Sequence, residues 1–211
     1  MTKLSIVKLD GGHAFGREGR AMSDSTPSEN ITHLDQYTLH TADLSAFNVL
    51  VVTDFIDQEY LYEQRQVITD FLNAGNIVLA CTHIFRAWLP GTGLFMPKEI
   101  RKHSDYEMTV VKEDSFFAGV DMNELAYRKG VSGFYARGSH PVTNKDAEVV
   151  LAFTDGTPIT VIDRHSTNGT IVAHSARDLL AYATGDNTTT RITPQVLAWL
   201  EQEVTRLKEN A

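Results

Sequence analysis

One cysteine and eight histidines are the side chains of this chain best suited to nucleophilic or general-base work. Cys81 follows the apolar run Ile77 to Ala80 in NIVLACTH, with His83 two residues on. His174 follows the run Thr170 to Ala173 in TIVAH. A thiol attacks as its thiolate, and a nearby imidazole or helix N-terminus lowers its pKa from about 8.5 into a useful range. Cys81 with His174 as base is therefore a candidate catalytic pair for amide or ester cleavage. The same thiol would also suit redox or adduct chemistry, and free cysteine often does no more than pack at a strand end. The residues alone leave these readings open. His83 and His174 could bind a metal with His13 or Asp54, but there is no HExxH and no paired-ligand spacing that requires one. No metal and no cofactor is expected.

Further candidates sit beside the same strand ends. The first strand, Leu4 to Leu9, runs into Asp10-Gly11-Gly12-His13. A glycine pair there lets the backbone turn sharply and approach a ligand closely. Behind it, His13, Arg17 and Arg20 could reach an anion, or the segment is a solvated turn. Asp54 ends the strand Asn48 to Thr53. Arg86 and Trp88 come shortly after Cys81 and either line a pocket mouth or cover the sheet edge. Gly12, His13, Arg17, Asp54, His83 and Arg86 are the expected substrate-binding residues.

The elements that must position these groups are organised around Phe47 to Pro90. VLVV, a continuous β-branched run, suits a strand covered on both faces. Asp57 caps the next helix, and Glu59 in its first turn is favoured by the helix dipole. Leu61, Ile68, Phe71 and Leu72 form its buried stripe. Gly75 stops it in a left-handed conformation, and Ile77 to Ala80 is the next buried strand. Two such strands joined by a helix make a right-handed βαβ unit. Ligands of open sheets gather beyond the carboxyl ends of the strands, where Asp54, Cys81, Thr82 and His83 fall.

Around this unit, Gln36 to Thr41 is expected as an edge-like strand after a polar loop, Met22 to Thr32. Glu107 to Lys112, Glu148 to Thr154 and Ile159 to Asp163 read as strands. Gly130 to Gly138 reads as a bent one. Asn168-Gly169 signals a two-residue hairpin turn. Ser175 is expected to cap a helix, with Asp178 completing the capping box. Thr193-Pro194 opens the last helix, whose stripe is Leu197, Leu200, Val204 and Leu207. The run RKHSDYE from Arg101 reads as a solvated loop. The fold class expected is α/β: a three-layer sandwich with a mainly parallel central sheet and a late antiparallel hairpin.

The 211 residues suit one sizeable α/β domain, 1–211. A net charge of −8 argues against nucleic acid or an anionic membrane surface as the main partner. The single cysteine excludes an internal disulfide. No apolar run approaches the roughly 20 residues of a membrane span, and MTKLSIVKLDGG is too short a run for a signal peptide. A cytoplasmic location is expected. The expected partner is a small-molecule substrate or ligand. Self-association into a homo-oligomer, through the glycine-rich Gly130 to Gly138, is the other option.

The order of elements resembles the class I glutamine amidotransferase-like superfamily, in its ThuA-like branch. The matching pieces are Leu9 to Gly12, FNVLVVTDF…QRQVITDFLNAGNIVLACTH, and the late TPITVID…NGTIVAHS. The resemblance implies a flavodoxin/amidotransferase-like sheet. It also implies a cysteine in a tight elbow after the glycine-stopped helix, with a histidine ending a late strand opposite it. Cys81 and His174 hold those places. The amidotransferase pattern has a glycine two residues after the cysteine and a glutamate two residues after the histidine; this chain has His83 and Ala176. In the ThuA-like branch, thought of as sugar-related or binding proteins, the elbow often carries a histidine. The resemblance thus implies a Cys–His hydrolase or transferase acting on a small molecule. Its alternative is a non-catalytic, sugar-related small-molecule binder.

Overall fold

The computed structural model describes residues 3–12, 31–128 and 131–210. Its elements are β1 (Ile6–Asp10), β2 (Ile31–Asp35), β3 (Val49–Val52), α1 (Gln58–Glu63), α2 (Arg65–Asn73), β4 (Ile77–Cys81), β5 (Met96–Pro97), β6 (Met108–Val110), α3 (Met122–Ala126), β7 (Tyr127–Arg128), β8 (Val131–Ser132), β9 (Gly138–Ser139), β10 (Glu148–Phe153), β11 (Pro158–Asp163), β12 (Thr170–His174) and α4 (Ile192–Glu209). Eight strands form one sheet in the order β2-β1-β3-β4-β12-β11-β10-β6. The pairings from β2 through to β12 are parallel, and those from β12 to β6 are antiparallel.

Alternation along the strands divides the interior into two cores. In β4, Ile77, Leu79 and Cys81 point to the face covered by Val196, Leu200, Val204 and Leu207 of α4. Val78 and Ala80 point to the other face, under Leu61 of α1 and Ile68, Phe71 and Leu72 of α2. Fully burying each of these large side chains contributes about 1.5–3 kcal/mol. This is why continuous apolar runs, not alternating ones, mark the central strands. The result is a helix–sheet–helix sandwich, as expected from the composition of the strands.

Local signals in the central unit operate as their chemistry requires. Asp57 accepts the Glu59 and Tyr60 N–H groups at the start of α1. Gly75 ends α2 with φ +81°. The expected single helix is broken at Gln64 into α1 and α2.

Several expectations need correction. The edge strand is β2, Ile31–Asp35, and the expected strand Gln36 to Thr41 instead begins with a 3-10 turn, Gln36–Thr38, capped by Asp35. β11 and β12 do form an antiparallel hairpin, but residues 164–169 join them, so Asn168-Gly169 is not a two-residue turn. Gly169 is needed for another reason: a Cβ there would lie 2.0 Å from the Asn76 carbonyl oxygen. Ser175 caps no helix; its hydroxyl donates to the Gly138 and Ile159 carbonyls. Asp178 is itself the cap, accepting the Leu180 N–H of a 3-10 turn. The glycine-rich middle contributes only the short pieces β8 and β9. Among the described residues, no helix is long and apolar enough to cross a membrane.

Candidate functional site

Cys81 and His174 are direct partners in the β4–β12 ladder, so their side chains leave the sheet on one face, side by side. Both are completely buried. Cys81 is the last residue of β4 and not part of a turn, and residues 82–95 after it form no helix. The elbow and helix N-terminus that would activate the thiol are therefore missing at this position. Burial pushes the thiol well up; Asp178 and Asp54 push it further, against a hydrogen bond from the Leu179 N–H and the charge of Lys8. Lys8 is itself buried and ion-paired to Asp178 at 2.9 Å.

His174 is held inside a polar pocket of the same core. Its Nδ1 lies 2.7 Å from the Thr160 hydroxyl and its Nε2 3.4 Å from the Tyr135 hydroxyl. Two hydroxyls serve both ring nitrogens in either neutral tautomer. Desolvation lowers its pKa to about 3, so the ring is neutral at physiological pH. Around it stand Phe117, Tyr135 and the strand residues of the α4-side core.

The open hollow lies one residue further along the chain and on the opposite side. It is a cleft of roughly 660 Å³ beyond the carboxyl ends of β3 and β4, between α1 and the segment after β4. Asp54, Phe55, Gln58, Glu59, Thr82, His83, Phe85 and Arg86 are among the residues that line it. Asp54, His83 and Arg86, expected as binding residues, thus come together here. Gly12 lies at the nearby end of β1, with φ +71° and its N–H on the Asp10 carboxylate at 3.0 Å. His13, Arg17 and Arg20 lie outside the described residues. Trp88 is buried among the α1 and α2 side chains, covering the sheet.

A strained turn builds the mouth of this cleft. Phe55, between β3 and α1, has φ +64° and is the non-glycine residue with positive φ among those described. A bulky residue in that region costs on the order of 1–3 kcal/mol and persists only where its surroundings hold it. Gly11 is part of that hold: a Cβ there would sit 2.1 Å from the Phe55 carbonyl oxygen. Gln36, buried, ties the same loops together, donating to the Gly11 carbonyl at 3.2 Å and accepting the Asp57 N–H at 2.7 Å. The outcome is an aromatic ring 76% exposed at the cleft.

The opposite wall is held by one amide. Gln58 donates to the His83 carbonyl at 2.6 Å and accepts the N–H groups of Phe85 at 2.7 Å and Arg86 at 3.4 Å, and the Trp88 indole at 3.4 Å. His83 stacks on Phe95 with ring centroids 3.8 Å apart. Burial lowers its pKa, partly offset by a hydrogen bond to the Ser175 carbonyl. Beneath it, buried His140 sets one ring nitrogen 3.0 Å from the Thr82 carbonyl and the other 3.1 Å from that of Gly93. Arg86 pairs with Glu59 at 2.9 Å and lies over the Tyr62 ring. Asp54 is exposed as a residue, yet desolvation raises its carboxyl pKa, opposed by a Thr82 hydrogen bond and by the charge of Arg177.

Gln58, Phe55 and Phe85 are absent from the sequence-based candidates, and Thr82 is placed at the strand end without being assigned to binding. Gln58 follows a helix cap and Phe55 follows a strand, and neither residue type marks a site by itself. Only the topology brings them together. Among the described residues, no group of three or more His, Cys, Asp or Glu side chains is arranged to hold a metal ion.

The chain shares its fold with solved proteins of very different sequence. A putative GMP synthase subunit from Thermoplasma acidophilum matches with a TM-score of 0.58 at 10% identity, over 99% of this chain and 98% of that one. A cytoplasmic protein from Salmonella typhimurium LT2 matches with a TM-score of 0.52 at 11% identity, over 96% of each chain. The fold is thus α/β with a mainly parallel central sheet, of the flavodoxin/amidotransferase-like kind. No protein-family model matches the sequence. None of the curated proteins compared with it matches either.

Proposed function

We propose that this protein binds a small molecule non-catalytically, in the cleft beyond β3 and β4, on an amidotransferase-like scaffold. One observation carries the reading. The side chains suited to covalent chemistry, Cys81 and His174, are buried, with the thiol pushed up and the imidazole held neutral. The side chains suited to recognition, Asp54, Thr82, His83 and Arg86, line an open hollow. Ligand pockets of this fold class gather at that edge. The reading accords with the resemblance to the ThuA-like branch, thought of as sugar-related or binding proteins.

The second reading is a Cys–His hydrolase or transferase. It is favoured by the pairing of Cys81 and His174 in adjacent strands on one face. The two readings separate in a thermal-shift screen of small metabolites, sugars and glutamine among them, run beside an assay of ammonia release from glutamine. Binding predicts a stabilising ligand whose effect survives Cys81→Ala and is lost in Asp54→Ala or His83→Ala, with ammonia release at background. Ammonia release abolished by Cys81→Ala would overturn it.

A further inference from the structure

His140, behind the cleft, has two hydrogen-bond acceptors and one proton to give them. It is buried, with its Nε2 3.0 Å from the Thr82 carbonyl oxygen and its Nδ1 3.1 Å from that of Gly93. A carbonyl only accepts, and a neutral imidazole carries one N–H. The neutral ring therefore serves one carbonyl and turns a lone pair to the other; only the imidazolium serves both. Thr82 is fixed from its other side, with its N–H on the His174 carbonyl at 3.1 Å. Gly93 is half-buried and its neighbour Leu94 is exposed, so residues 91–95 are the side that can yield.

The same segment lies between two imidazoles. The Phe95 ring stacks on His83 with centroids 3.8 Å apart and meets His140 edge-on at 5.9 Å. Its N–H donates to the Ile84 carbonyl at 2.7 Å. His83 lines the cleft, so the segment backs the cleft wall.

Protons on these two rings are poorly met. Among the described residues, the ionisable groups that face His140 are the imidazoles of His83 and His174 and, across a small cavity, Asp163. The Asp163 carboxylate is taken up by the Ser166 hydroxyl, the N–H groups of His165 and Ser166, and the Asn144 amide. His83 faces the charge of Arg137 and shares the cleft with Asp54, Asp57, Glu59 and Arg86. Burial outweighs the two carbonyls at His140 and the Ser175 carbonyl at His83, and holds both rings below the ordinary histidine pKa. A conformation in which the rings reach water therefore binds protons more readily than the closed one, and acid shifts the population towards it.

We propose that residues 91–95 form an acid-released strap, closed over neutral His140 and His83 and freed when these rings take up protons, so that the cleft wall at His83 opens as the solution turns acidic. The device does not depend on which ligand the cleft holds.

The test is amide hydrogen exchange of the full-length protein between pH 7 and 5, each rate taken relative to the unstructured chain at the same pH, beside the ring nitrogen resonances of His140. The Phe95 amide is expected to exchange faster than that of Leu79 in β4 at every pH. Its protection should fall at least about threefold over the range. That fall should shrink in His140→Gln and persist in His174→Gln. In the parent protein His140 should carry one ring proton at pH 7 and titrate below the ordinary 6.5. This ring titration decides the matter even where His140→Gln fails to fold. A Phe95 amide that exchanges only together with Leu79, an undiminished fall in His140→Gln, or a His140 ring protonated on both nitrogens at pH 7 would overturn the proposal.

Discussion

Cys81 and Thr82 are neighbours in the chain and end in opposite surroundings. Cys81 points into the core beneath α4, among Leu79, Phe117 and Leu179, beside neutral His174. Thr82, itself buried, borders the cleft with Asp54, His83 and Arg86. One step along the chain changes the face, and brings the side chain from the core to the edge of the cleft. The sealed side holds the groups that look reactive and suppresses them by desolvation. The open side holds ordinary polar groups where they can meet a ligand. On the proposed reading, the parity of a strand locates the site better than the reactive residue types it carries. The strained turn also sits on the open side: among the described residues the non-glycine position with positive φ is Phe55 after β3, not Cys81 at the end of β4.

That contrast can be broken most strongly through its two ion pairs. Lys8→Met strips Asp178 of a buried partner and is expected to cost about 3–5 kcal/mol in chemical denaturation, the usual penalty for leaving one charge of a buried pair alone. Arg86→Met removes an exposed partner of Glu59 and is expected to change stability by at most about 1 kcal/mol. Equal effects would erase the distinction between the two sides. His174→Ala should follow at about 2–4 kcal/mol, since it opens a cavity and leaves the Thr160 and Tyr135 hydroxyls without their partner.

The pH dependence sharpens the same point. The His174 pKa falls from the ordinary 6.5 to about 3 in the folded protein. As pH drops below 6.5 the unfolded chain takes up a proton that the folded one refuses until near 3. Stability is therefore lost across that window, at up to about 1.4 kcal/mol per pH unit. His83 and His140 are lowered as well and add the same sign. Denaturation followed between pH 6 and 4 should show a shallower slope in His174→Gln than in the parent protein. An unchanged slope would mean that the imidazole is not sealed.

Smaller effects belong to the cleft. Gln58→Ala should cost about 1–2 kcal/mol and raise amide exchange at Phe85 and Arg86, whose N–H groups it holds, while leaving Cys81 protected. For Asp54 the folded pKa is raised, so its contribution is full at low pH and is lost as pH rises through that value. Asp54→Asn at neutral pH should then leave stability within about 0.5 kcal/mol or raise it slightly.

Much of the scaffold is legible because it is written in local signals. The runs VLVV and IVLA, the Asp57 cap and the Gly75 stop each specify a backbone state from a few neighbouring residues. The edge strand is harder to place because ITHLD and QYTLHT are both short and mixed, and Asp35 supplies a cap that sequence spacing alone does not reveal. At Asn168-Gly169 the glycine reads as a turn, whereas a close approach to the Asn76 carbonyl is what requires it. At the site, Asp54, His83 and Arg86 stand out by their places after strands. The Gln58 latch does not, since its partners lie 25 to 30 residues away. Nor can the face of Cys81 be set against the face of the cleft until the ends of β4 and its ladder are fixed.

The most direct test is the rate at which iodoacetamide alkylates Cys81 in the native protein at neutral pH, set against a free cysteine and the denatured chain. A sealed thiol with a raised pKa reacts far more slowly than the free thiol, at a rate set by opening of the fold, and the denatured chain reacts at the ordinary rate. Native alkylation faster than free cysteine, with a bell-shaped pH profile that disappears in His174→Ala, would contradict the account and make the Cys81–His174 pair the working centre.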